Sequence, residues 1–231
     1  MKRMNLICGV AAAALVMTVA QAACAQDAPS PPPPPGPAYP SGPSVAAPGF
    51  HQHDGFFFRT TVGVGSGRNA GEGGGQKLTF SSPGLQLGVA FGGAISPNVV
   101  IFGEFDSFSM EGPDVVVNGE KLGTSASTFS VWNVGVGPGV AYYFNPSNVL
   151  LSGSLLATSL SFENEGITNE TETGVGFSLK AGKEWWVSHG WGLGVVVGAL
   201  ISTAKLKENL FGAGATWKSQ ALHVSFSASF N

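Results

Sequence analysis

The sequence predicts an all-β protein: an eight-stranded antiparallel up-and-down transmembrane β-barrel, preceded by a disordered proline-rich linker. Three observations carry that expectation. Only 11% of the 231 residues are charged, against about 25% in soluble domains, too few to cover a water-facing surface. No stretch after residue 25 reaches the roughly 18 consecutive apolar residues of a membrane-spanning helix. From Phe56 onward, apolar residues alternate with small or polar ones at a period of two, the signature of strands. In lipid every backbone N–H and C=O must be paired within the protein, so a chain without apolar helices is left with the closed barrel.

Residues 1–25 read as a secretory signal peptide. Lys2 and Arg3 form a basic start, an apolar stretch runs from about Leu6 to Ala20, and Ala23 and Ala25 are spaced for cleavage after Ala25. The alternative is a lipoprotein signal acylated at Cys24, which Gln21 fits poorly. Both cysteines, Cys8 and Cys24, fall in this segment, so the mature chain has no thiol for a disulfide or metal site. Removing Lys2 and Arg3 leaves nine basic residues against fourteen acidic ones, a formal charge of −5 that gives no reason to expect a nucleic-acid partner.

Residues 26–54 read as a linker. Ten prolines fall between Pro29 and Pro48, a composition that holds the chain in extended polyproline II with little to bury. The functional alternative is a docking site for a proline-binding partner; a spacer is the blander reading.

Residues 55–231 carry the barrel, with strands expected near 56–67, 83–96, 99–109, 127–144, 149–162, 173–187, 191–205 and 217–230. Three breaks are tight and rich in turn formers: Ser96-Pro97-Asn98, Asn145-Pro146-Ser147-Asn148 and Ser188-His189-Gly190. The other four, 68–82, 110–126, 163–172 and 206–216, are expected to be long polar loops. Long loops at one end and turns at the other is the asymmetry of outer-membrane barrels, with turns facing the periplasm.

Within strands, Leu85, Leu87, Val89, Phe91 and Ile95 share one phase, and so do Val175, Phe177, Leu179, Ala181 and Trp185. The opposite phase is mostly Gly, Ala and Ser, which suits the narrow interior of eight strands. The apolar phase is therefore turned to lipid. The strand at 149–162 is less regular, and its faces are not assignable from the pattern. Aromatics bunch beside the turns: Phe56, Phe58, Tyr142, Tyr143, Trp185, Trp186, Trp191 and Phe230 are expected to form an interfacial girdle. Phe108, Phe129, Phe162 and Trp217 are candidates for a second belt.

These features resemble the outer-membrane β-barrel domain family, the small OmpA/OmpX-type barrels, over about residues 56–231. The strand count, the turn asymmetry, the girdle and the closing Leu222, Val224, Phe226, Ala228 and Phe230 carry the resemblance; the last five look like the family's C-terminal assembly signal, here followed by Asn231. The resemblance implies a scaffold in the outer membrane, contact with its lipid and lipopolysaccharide, and insertion by the barrel-assembly machinery. It implies no single activity.

Candidate chemistry is sparse. Arg59, Glu104, Asp106, Lys180 and Glu184 fall on the inward phase, where unpaired charge is costly; they are expected to form a charge network that plugs the lumen, or else to line a narrow ion or small-solute channel. His223 and Ser225 form a His-x-Ser pair like that of lipid A-modifying barrels, but they fall on the inward phase, away from lipid. No catalytic residue, cofactor-binding motif or metal site is expected: His51, His53 and His189 lack ligand spacing, and Gly63–Gly67 and Gly135–Gly139 lie in strands with no following helix to cradle phosphate. Pro138, on the outward phase, is expected to cost a ladder bond or mark a bulge. The acidic run at 163–172 is read as a solvated loop, with divalent-cation binding beside lipopolysaccharide as the alternative.

Overall fold

The computed structural model describes residues 53, 55–207 and 215–231. The signal-peptide segment and nearly all of the linker lie outside the described residues. Eight strands close the barrel: β1 (Phe56–Gly73), β2 (Gln76–Ser96), β3 (Val99–Glu111), β6 (Phe129–Phe144), β7 (Val149–Asn164), β9 (Gly174–Trp186), β10 (Trp191–Lys205) and β11 (Thr216–Phe230). Three short strands stand outside this ring: β4 (Asp114–Val117), β5 (Glu120–Thr124) and β8 (Ile167–Glu170). Every pairing is antiparallel, and β1 pairs with both β2 and β11, which abolishes the open edge of the ring.

The turn end follows the sequence. The loop end corrects it. The expected loop at 68–82 is instead a continuation of β1 and β2, paired in register from Arg68↔Ser81 to Gly73↔Gln76. Gly74 and Gly75 make the connection, both with positive φ (59° and 77°), as a two-residue hairpin turn of matching twist requires. Polar composition hid the strand because its outer face stands above the lipid. The segment 110–126 holds the β4–β5 hairpin, which pairs onto β2, and 163–172 holds β8, which folds back on β7. Pro138 leaves the β6–β7 ladder without pairs at Gly137 and Pro138 while the register runs on unshifted, so it costs ladder bonds and makes no bulge. The bulge lies in β2, between Ala94 and Ser96.

Apolar side chains face outward along the lipid-facing part of every barrel strand. Val64, Leu85, Ile95, Val136, Leu155, Phe177, Val195 and Leu222 are large hydrophobic side chains left exposed there. The inward phase is layered. Near the turns, Phe57, Val100, Phe102, Tyr143, Leu150 and Val196 form an apolar cluster. Near the loops, Phe80, Phe108, Met110, Leu156, Phe162, Leu200 and Trp217 form another. Polar side chains occupy the region between them. The lumen is thus not filled by small residues and ions alone. This explains β7: Leu150, Leu156 and Leu160 point inward while Leu151 and Leu155 point out, so both phases are apolar and alternation disappears.

Candidate functional site: the polar lumen

Four strands, β2, β3, β7 and β9, converge on the middle of the barrel. Glu104 and Asp106 project from β3, two residues apart on one face. Lys180 projects from β9 and places Nζ 2.5 Å from Glu104 Oε1 and 2.7 Å from Asp106 Oδ2. All three are at least 96% buried, and hydrogen bonds complete their shells. Ser154 donates to Glu104 (2.5 Å), Ser178 to Asp106 (2.6 Å), and the Gln86 amide to Asp106 (2.8 Å). A buried carboxylate is tolerated only when its lone pairs are answered in this way.

The expected network divides in two. Arg59 stands off: Nη2 is 3.9 Å from Glu104 and 3.3 Å from Ser152 Oγ, and Nη1 has no hydrogen-bond partner. Its guanidinium lies instead over the rings of Phe57 and Phe102, 5.8 and 5.4 Å from their centroids, a cation–π setting. Glu184 accepts from Ser227 and Ser229, each at 2.7 Å, so β11 serines rather than a cation hold it at close range. The serines on the inward phase, read from the sequence as small filler, are ligands of the carboxylates.

His223 Nδ1 lies 2.8 Å from Ser225 Oγ, and both residues are buried in the lumen. Ser225 in turn donates to Gln86 Oε1 at 2.8 Å, since the Gln86 amide nitrogen is committed to Thr61 and Asp106. With its proton given to Gln86, the hydroxyl accepts from Nδ1–H. The imidazole is then a donor to Ser225, the reverse of what activates a nucleophile.

The girdle needs correction. Phe56, Tyr142 and Trp185 face outward and are exposed, and Trp191 packs edge-on against Phe230. Phe58 shares the outward phase but is covered by Phe91, 5.1 Å between centroids. Tyr143 and Trp186 fall on the inward phase: Tyr143 is fully buried and Trp186 half-buried, because neighbours in a strand cannot share a face. Phe108, Phe162 and Trp217 likewise turn inward, into the loop-side apolar cluster instead of a second belt. Leu222, Val224, Phe226, Ala228 and Phe230 share the outward face of β11.

His53, assigned to the linker by its sequence, belongs to the packing of the barrel. Its ring stacks on Tyr143 with centroids 3.5 Å apart, and Nε2 meets Asn148 Oδ1 at 2.8 Å. Only its place after a proline-rich stretch assigned it to the linker.

A closed antiparallel barrel with an aliphatic outer belt and a buried charge cluster inside reverses the order of a water-soluble fold, as lipid requires. It is a transmembrane β-barrel of the outer-membrane type. The chain is similar to Neisserial surface protein A (14% identity over 76% of this chain and 96% of that one, TM-score 0.49) and to OprG from Pseudomonas aeruginosa (13% identity, 79% and 98%, TM-score 0.48). It is also similar to the outer membrane protease OmpT from Escherichia coli (9% identity, 77% and 96%, TM-score 0.42). No protein-family model matches the chain, and no curated protein matches it. Among the described residues of the barrel, no group of three His, Cys, Asp or Glu side chains is placed to hold a metal ion.

Proposed function

We propose that this barrel is a non-catalytic, non-conducting scaffold of the outer membrane whose loop-side hairpins meet the exterior. The observation that supports this reading is the stacking of the lumen: an apolar layer at each end and a hydrogen-bonded charge cluster between them. An ion would have to give up its water to cross such a column, at a cost of several kcal/mol. Beyond the lipid, β1 and β2 continue into a paired hairpin and β4–β5 extends the same sheet, which offers a folded surface for contact. For catalysis, the His223–Ser225 pair lies in the wrong hydrogen-bond direction and away from lipid.

Planar-bilayer recording of the refolded protein tests the first half. Steady single-channel conductance overturns the reading; a silent bilayer with correctly inserted protein supports it. Mass spectrometry of lipid A from cells with and without the protein tests the second half, and loss of an acyl chain or headgroup overturns it.

A further inference from the structure

On the outward wall built by β1, β2 and β11, just above the aliphatic belt, lies a cavity of about 480 Å³. Arg68, Lys77 and Lys218 line it together with Glu72, Thr216 and Gln220. The register places Arg68 opposite Gln220 and Ala70 opposite Lys218, so Lys218 is the diagonal neighbour of Arg68, about 7–8 Å away, and Ala70 leaves the space between them open. Glu72 is taken by Lys77 at 2.9 Å. Arg68 and Lys218 have no ion-pair partner among the described residues, whereas Lys121 is answered by Asp114 at 2.7 Å and Lys207 by Glu170 at 3.6 Å. Glu72 also feels Lys218, and the three cations against one carboxylate leave the cup a net charge of +2.

A second feature lies on the same wall. A shallow, open apolar depression of about 510 Å³ spans β7, β9, β10, β11 and β1. Ala181 and Ala199 line it together with Leu179, Val197, Leu222 and Val64. The outward alanines make the dent, since the surrounding positions carry branched side chains. Leu222 in the groove is two residues from Gln220 in the cup, about 7 Å along the strand. A basic cup and an aliphatic groove thus meet end to end across the membrane boundary.

We propose that this wall binds a phosphorylated, acylated lipid of the outer leaflet, its phosphate held between Arg68 and Lys218 and one acyl chain laid in the Ala181–Ala199 groove. A guanidinium fork and an ammonium match the charge and donor needs of a phosphomonoester. A soluble anion would use the cup alone and leave the groove without a role. The assignment needs the apolar face to meet lipid but is independent of whether the lumen conducts.

Native mass spectrometry of the detergent-solubilised full chain, titrated with diphosphoryl hexa-acyl lipid A, tests it. Wild-type protein is expected to retain one lipid A and to bind the dephosphorylated lipid weakly. Arg68→Gln with Lys218→Gln is expected to lower affinity about thirty-fold, from the loss of two membrane-surface cations. Ala199→Phe, which fills the groove and leaves the charge untouched, is expected to weaken lipid A but not inorganic phosphate. Gel mobility of unboiled samples verifies that each variant is folded. Equal retention by the charge variant marks the lipid as adventitious and overturns the proposal. Displacement of lipid A by equimolar inorganic phosphate reduces the cup to a plain anion site and overturns it as well. Full binding by Ala199→Phe overturns the acyl half.

Discussion

Lys180 on β9 and Glu104 on β3 meet across the lumen at 2.5 Å although β6 and β7 stand between their strands in the sheet. The contact spans a barrel, not a ladder, and it fastens opposite walls of the cylinder to one another. Asp106 shares the same ammonium, so one cation serves two buried acids, with Arg59 3.9 Å from the first of them.

That arrangement predicts an asymmetry. Lys180→Met strands both carboxylates and is expected to destabilise the barrel by about 3–5 kcal/mol, while Lys180→Met combined with Glu104→Gln and Asp106→Asn recovers most of the loss. Arg59→Met, which removes only a loosely held cation, should cost less than Lys180→Met. Urea unfolding from lipid vesicles measures all three; equal costs for Arg59 and Lys180 refute the ranking.

Closure between β1 and β11 depends on close backbone approach at Gly65. A Cβ there would lie 2.1 Å from the Leu222 carbonyl oxygen, a backbone atom fixed by its own ladder. Gly65→Ala is therefore expected to cost about 1–3 kcal/mol through overpacking. Gly103, where a Cβ meets nothing within 4 Å, is the control, and Gly103→Ala should change stability by no more than about 0.5 kcal/mol.

The β4–β5 hairpin should loosen in acid. Lys121 and Thr124 both donate to Asp114 and hold its carboxyl below the usual carboxylate range. A depressed folded value means that the stabilisation is complete above the ordinary aspartate value of about 4 and is lost as pH falls through the lower folded value. Protection of the amides of 115–124, taken relative to their intrinsic exchange rates at each pH, is expected to fall across that window and to stay level in Asp114→Asn.

Truncation should separate His53 from the segment before it. A chain beginning at residue 50 keeps the ring that stacks on Tyr143, whereas one beginning at residue 55 loses it. The shorter chain is expected to unfold more easily by about 1 kcal/mol, the worth of a stacked ring and one hydrogen bond, read as a lower temperature for the gel-mobility shift. Identical shift temperatures would leave His53 without a structural role.

Much of this molecule is written locally. Alternation along β2, β9 and β11 set which side chains face lipid, since successive strand residues point to opposite faces whatever the rest of the chain does. Asn145-Pro146 and Ser96-Pro97-Asn98 marked turns through the conformational limits of those residues themselves. Period two failed where both faces are apolar, as in β7, and where both are polar, as in β1 above Arg68. The doubled glycine at Gly74-Gly75 was the signal that could have recovered the second case.

Closure decided the rest. Nothing in the neighbourhood of Lys180 specifies that Glu104, 76 residues away, receives it, nor that Ser227 and Ser229 serve Glu184, nor that Arg68 and Lys218 become neighbours on one wall. Such pairs arise because bending eight strands into a ring brings non-adjacent strands within side-chain reach, and because only the registers of β1 with β11 and β2 fix which levels coincide. Periodicity is a property of one strand; a site here is a property of the cylinder.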